Sequence, residues 1–330
     1  MRIIIVSIFF AIALLVSCSS DDTNKNNPEP LNLNLELTLE TEQDQIGDFA
    51  NNAMTVFNGF VWATGGERPG AGVDLRGEVW RSANGVAWES VVFDVFDGRI
   101  KHTLTLYDDK LWMIGGRNND GDHLREIWSS EDGFTWNLVT DSPPFGVADN
   151  HDTIIFNNKL YVITRRFEGV DRTSVWSSSN GLDWQLEADN AFSGREEFKA
   201  LVFNGSIYVI GGFLSSAFDP TDEIWTSSNG KDWSLVETNT IFSARHSHTA
   251  TVYNDIAFVV GGIGTSGLEG NLWYSEDMIN WFEYEPLSSD IGLSDHSALI
   301  FEDKLWLYGG FEGSGFDGDI TGKIRSILED

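Results

Sequence analysis

Three aromatic series in step, together with tight-turn dipeptides at fixed offsets, predict an all-β fold: a six-bladed β-propeller of four-stranded antiparallel blades. Trp88, Trp136, Trp184, Trp233 and Trp281 stand 48, 48, 49 and 48 residues apart. Eight residues before each stands another tryptophan: Trp80, Trp128, Trp176, Trp225 and Trp273. A third series, Phe57, Tyr107, Phe156, Phe203, Tyr253 and Phe301, runs through every unit.

Each unit reads as four short strands bounded by turn residues. In the second unit these are Thr103 to Tyr107, Leu111 to Ile114, Glu126 to Ser129 and Thr135 to Val139. Between strands one and two stand Asn58-Gly59, Asp108-Asp109, Asn157-Asn158, Asn204-Gly205, Asn254-Asp255 and Glu302-Asp303. Between strands three and four stand Asn84-Gly85, Asp132-Gly133, Asn180-Gly181 and Asn229-Gly230. Asn-Gly and Asp-Gly accept the positive φ angles of a tight hairpin turn.

The sixth unit has strands at Ser297 to Phe301, Leu305 to Leu307 and Gly322 to Leu328, with no fourth after them. At the other end, the alternating stretch Asn32 to Leu39 has no unit of its own. Leu33 to Leu37 is therefore expected to supply the outer strand of the sixth blade and close the ring, which removes exposed edges. The repeated tryptophans are expected to pack between blades.

Glycine pairs follow the second strand at Gly65-Gly66, Gly115-Gly116, Gly211-Gly212, Gly261-Gly262 and Gly309-Gly310. With the preceding aromatic strand, this pattern resembles the kelch repeat and the central propeller of galactose oxidase-like proteins, over residues 33–330. The third unit departs from it, with Thr164-Arg165 in place of the glycines. Ser130 to Trp136 also resembles the Asp-box turn of sialidases, one residue short. Galactose oxidase chemistry, which the resemblance would bring, needs a cysteine crosslinked to a tyrosine beside copper. The only cysteine here is Cys18, so no such cofactor is expected.

Met1-Arg2 followed by a short apolar run to Val16 reads as a secretory signal peptide, residues 1–17. Leu15-Val16-Ser17-Cys18 resembles the lipobox of bacterial lipoproteins, with Cys18 acylated and anchored to the outer membrane. Residues 18–32 read as a flexible tether. Its Asp21-Asp22 resembles the surface-export signal of Bacteroidota lipoproteins. The remainder, 33–330, is one propeller. A net charge of −30 argues against nucleic acid as a partner. One cysteine excludes an internal disulfide.

Antiparallel strands put the tight turns on one face and the long connections between strands two and three on the other, where binding groups usually sit. Lysines such as Lys110, Lys159, Lys231 and Lys304 fall at the tight turns, and arginines on the long-loop side. Arg99, Arg195 and Arg245 share one repeat position, with Arg117 and Arg165 near the same rim. Guanidinium groups grip carboxylates at two points, so this set suggests an anionic ligand. Pairing with Glu67, Asp74, Asp97, Glu168, Asp171, Glu196, Glu197 and Asp222 is the structural alternative.

His102, His151, His248 and His296 share a position five residues before the strand-one aromatic. His102 and His248 join the arginines as candidate ligand contacts, although imidazoles there can equally bond a neighbouring blade. Phe167, Phe213, Phe218, Phe311 and Phe316 lie in the long loops and could stack on a sugar. Asn118 to Asp122 and Asp317 to Asp319 lack the twelve-residue loop of a strong calcium motif, and no metal site is expected.

The leading expectation is a non-catalytic module that binds a glycan or a protein through the arginine-rich face. The alternative, by resemblance, is a kelch-like sugar-acid (sialic acid) epimerase with Glu196 or His248 as acid/base. A scaffolding lipoprotein is a third reading. A hydrolytic sialidase would need a tyrosine on the long-loop face, where none falls.

Overall fold

The computed structural model describes residues 28–42, 45–69, 74–93, 95–166, 171–217, 219–284, 292–313 and 318–329. The signal peptide, Cys18 and most of the tether lie outside these residues, as do Phe167, Glu168, Phe218, Phe316 and Asp317. By contacts the chain separates into Met1–Asn32 and Leu33–Asp330.

The second part is built from four-stranded antiparallel sheets in chain order. The second unit pairs Thr103–Tyr107 with Lys110–Ile114, that strand with Ile127–Ser130, and the last with Asn137–Thr140. The first three strands stand within one residue of where the sequence puts them, and the fourth begins two residues later. The same order recurs from Ala50–Phe57 to Trp88–Val92, from Asp152–Phe156 to Gln185–Ala188, from Lys199–Phe203 to Ser234–Leu235 and from Thr249–Tyr253 to Phe282–Glu283. In the sixth unit Ser297–Phe301, Lys304–Tyr308 and Ile324–Glu329 are joined by Leu35–Thr41, which pairs Leu35 with Glu329 and Leu39 with Arg325. This strand starts two residues after the expected Leu33 and runs four past Leu37.

The first strands pack side by side in sequence order, and Ala50–Phe57 also packs against Ser297–Phe301 of the sixth unit. Between units, phenylalanines fill the seams. Phe96 contacts Trp128 and Trp136, Phe145 contacts Trp176 and Trp184, and Phe192 contacts Trp225 and Trp233, with ring centroids 5.2–6.3 Å apart. Aromatic pairs of this kind add about 0.5–1.5 kcal/mol each beyond their burial. Strand-two tryptophans Trp62, Trp112 and Trp306 donate their indole N–H to the carbonyl oxygen of the strand-one aromatic, at 2.9–3.0 Å.

The two turn types differ. Between strands one and two, both dipeptide residues are left-handed in every unit, from Asn58 (φ 50°) and Gly59 (φ 75°) to Glu302 (φ 47°) and Asp303 (φ 56°). These are tight hairpin turns. The expected twin between strands three and four is instead a five-residue loop, residues 83–87 in the first unit. Asn84 Oδ1 accepts the amides of Val86 and Ala87, and Asp132 Oδ1 accepts those of Phe134 and Thr135. An Asx turn organises the loop, and only the glycine is left-handed.

The third unit uses its missing glycines. Lys159–Arg166 continues straight through Thr164-Arg165 and pairs with Arg172–Ser178 as far as Arg166 opposite Arg172. Glycine pairs with positive φ interrupt this strand in the second, fourth, fifth and sixth units. The third-unit ribbon therefore lifts Arg165 and Arg166 onto the long-loop face.

Candidate functional site

Arg99, Arg195 and Arg245 are completely buried. Each extends from the approach to strand one and donates Nη1–H to the carbonyl of its own unit's first glycine: Gly115 at 3.1 Å, Gly211 at 3.2 Å and Gly261 at 2.9 Å. Arg99 also pairs with Glu126 at 2.7 Å and Arg195 with Glu223 at 2.5 Å, while Arg245 binds Asn271 at 2.9 Å. Glu126 and Glu223 accept the indole N–H of Trp128 and Trp225 as well. Each guanidinium lies over the seam phenylalanine, 5.1–5.5 Å from its centroid. Burial lowers the pKa of all three, to about 10 for Arg245; Glu126 and Glu223 partly offset it for Arg99 and Arg195. These three arginines are internal struts and not the ligand contacts expected from the sequence, because their donors are taken up and ligand cannot reach them.

The histidines are also inside. His102 Nε2 bonds Thr64 Oγ1 at 2.9 Å, His151 Nε2 bonds Thr103 at 3.2 Å and His296 Nε2 bonds Thr249 at 2.8 Å, each reaching the preceding unit. His102 Nδ1 and both ring nitrogens of His248 are shut off from solvent without a bonding partner. His102 and His248 therefore line the pocket beside Lys199 with ring nitrogens that solvent does not reach. Burial, with the nearby Arg99 and His151, pulls His102 down to about 3. Burial does the same to His151 and His296, helped by Lys199. His248 is likewise held well below its ordinary value.

One residue earlier in each unit stands a residue that no repeat motif of the sequence marks out. Asn51, Lys101, Asn150, Glu197, Ser247 and Asp295 are all left-handed, with φ between 50° and 57°. Their backbones are joined: Asn51 N–H donates to Asp295 O, Asp295 to Ser247, Ser247 to Glu197, Glu197 to Asn150 and Asn150 to Lys101, at 2.9–3.2 Å. Lys101 Nζ reaches Glu197 at 3.1 Å and Asp295 at 2.5 Å, so units two, four and six meet across the channel. His246 Nδ1 and Ser247 Oγ also bond Glu197. Burial opposes both charges, yet the pairing wins. Lys101 is raised above its ordinary value by Asp295 and Glu197, and Glu197 is held well below the carboxylate range by Lys101 and His246.

A second group of cations lies between the second and third units. A groove of about 430 Å³ is lined by His123, Arg125, Arg165 and Arg166 on one side of its chemistry and by Pro143, Pro144, Phe145 and Val147 on the other. Arg165 pairs with Asp171 and Glu196, and Arg166 with Asp189 at 2.7 Å. Arg117 stands at 3.3 Å from Asp149, which also binds His123 Nδ1 at 2.8 Å. Arg125 has no carboxylate within 4.0 Å among the described residues. Of the residues expected to bind ligand, the structure brings Arg165 into this groove, places Arg117 beside it through Asp149, and adds Arg125 and Arg166. Arg125 interrupts no repeat pattern, so the sequence held no signal for it.

Glu196, one acid/base candidate, is tied to Arg165, and His248, the other, is 1% exposed. Phe213 packs edge-on to His246, 5.3 Å between centroids. Among the described residues no three His, Cys, Asp or Glu side chains are placed to hold a metal ion.

The family model of the DUF6242 beta propeller domain matches residues 132–240. Among solved structures, that of YjhT is similar in fold, with a TM-score of 0.69 at 14% identity, covering 85% of this chain and 95% of that one. No curated protein sequence matches the chain. Together with the sheets described above, these likenesses define the chain as a β-propeller.

Proposed function

We propose that this is an envelope lipoprotein, anchored to the outer membrane through Cys18, whose kelch-like propeller is a non-catalytic module binding an anionic glycan or protein segment. Its ring has six blades, with Leu35–Thr41 as the closing strand. The joined backbones of Asn51, Asp295, Ser247, Glu197, Asn150 and Lys101 support that closure.

The observation that carries the binding reading is the groove between units two and three. In a chain of net charge −30, it sets an arginine with no carboxylate within 4.0 Å among the described residues beside two more guanidinium groups and an apolar wall. Arg125 is free to take a carboxylate by a two-point contact. Phe145 and the two prolines supply a flat apolar surface for a sugar ring or side chain.

The test is calorimetric titration of the full chain with sialic acid, glucuronic acid and glucose. Acidic sugars should bind and glucose should not, with Arg125→Ala weakening binding about 10-fold or more, the usual scale for a charged hydrogen bond. Equal binding of glucose, or an unaltered affinity in Arg125→Ala, would refute the anionic groove. If neither acid binds, the sugar-acid version fails.

A further inference from the structure

Below the Lys101–Glu197–Asp295 bridge, the central channel holds a polar cavity of about 230 Å³. Two lysines stand in this channel, and they differ. Lys101 has two carboxylates on its ammonium. Lys199, from the fourth unit, lines the channel both at the bridge and beneath it, and has no carboxylate within 4.0 Å among the described residues.

Several of the groups around Lys199 are already engaged with each other. Thr103 and Thr249 bond His151 and His296, and Ser297 Oγ donates to Asn52 O at 2.9 Å. Asp152 is the acid in the same cavity, and its two oxygens accept the amides of Thr153 at 2.9 Å and Ala200 at 2.8 Å. Burial pushes the Asp152 carboxyl up, opposed in part by the Lys199 ammonium and by those two amides. The imidazoles are held neutral by burial, so they add no competing positive charge. An ammonium in a confined polar channel, with three donors and no carboxylate within 4.0 Å among the described residues, is a built receptor for negative charge.

We propose that the channel is a second binding site, separate from the groove, for one small anion, a carboxylate or a phosphate, held by the Lys199 ammonium. The cavity of about 230 Å³ has room for such an ion with its water.

The full chain is titrated with inorganic phosphate and, separately, with acetate at constant ionic strength, and heat is read. Saturable binding of one or both is expected, and which of them binds identifies the anion. Lys199→Met should weaken it at least 10-fold, Lys199→Arg should keep it, and Lys110→Ala, at a tight turn away from both sites, should leave it unchanged. No saturable binding, or undiminished affinity in Lys199→Met, overturns the site. Should Lys199→Met fail to fold, wild-type crystals soaked in bromide decide. An anomalous peak in the channel beside Nζ supports the proposal, and its absence there overturns it.

Discussion

At the residue scale, the same side chain serves opposite ends depending on where its repeat position falls. Arginine before strand one is an internal strut, held by a glycine carbonyl and a carboxylate or amide. Arginine on the third-unit ribbon faces the groove. The buried imidazoles give this scale a measurable consequence. His102, His151 and His296 titrate near 3 in the folded protein against an ordinary 6.5, and His248 shifts the same way. Between these values the unfolded chain binds protons that the native state refuses. Their share of stability is therefore intact above pH 6.5 and falls as pH drops toward 3, by on the order of 1 kcal/mol per pH unit for each imidazole. Glu197 acts in the same direction at lower pH, since its carboxylate is favoured by folding. Urea unfolding from pH 7 to pH 4 should show this slope, and His151→Gln should flatten it by about one proton. An unchanged slope would mean the ring titrates normally.

At the element scale, the loop between strands three and four couples neighbouring blades. A methyl group added at Gly133 would lie 2.2 Å from the Trp62 ring of the preceding unit, whereas one added at Gly146 meets nothing within 4 Å. Both glycines are left-handed, at φ 78° and φ 76°. Gly146→Ala should therefore cost only the backbone term, about 1–2 kcal/mol. Gly133→Ala should cost that and the displacement of Trp62, about 1–3 kcal/mol more. Chemical denaturation of the two variants measures the difference, and equal losses would show that the turn does not bear on the seam. The tight turns between strands one and two were legible from their dipeptides, since Asn and Asp accept positive φ. Their partners were misread as the same kind, because an Asn-Gly pair signals a left-handed glycine but not the length of an Asx loop around it.

At the scale of the whole molecule, the last sheet depends on residues nearly 290 positions apart, as in the bond from Ser326 to Glu40. A chain lacking residues 1–41 would expose the edge of Ile324–Glu329, where Ile324 and Ile327 are fully buried. Such an edge invites pairing with other chains. The truncated chain should aggregate on size-exclusion chromatography and lose its cooperative melt, and adding a peptide spanning residues 33–41 should restore part of it. A monomeric truncation with an unaltered melt would refute closure by this strand.

By itself, the sequence determined an all-β propeller of repeated antiparallel sheets. A repeat of 48 or 49 residues repeats its packing, and periodic aromatics can only be satisfied by periodic neighbours. The tertiary structure alone decided which charges are free. Arg195 and Arg125 are alike as letters, yet one is enclosed by its own glycine carbonyl, Glu223 and Phe192 while the other faces a groove formed by a different unit. The linked left-handed residues from Asn51 to Asp295 were hidden for the same reason: backbone handedness and pairing between Lys101, Glu197 and Asp295 arise only when separate units are brought together. Partners of a charged group are set by distance in space, and a repeat fixes only distance along the chain.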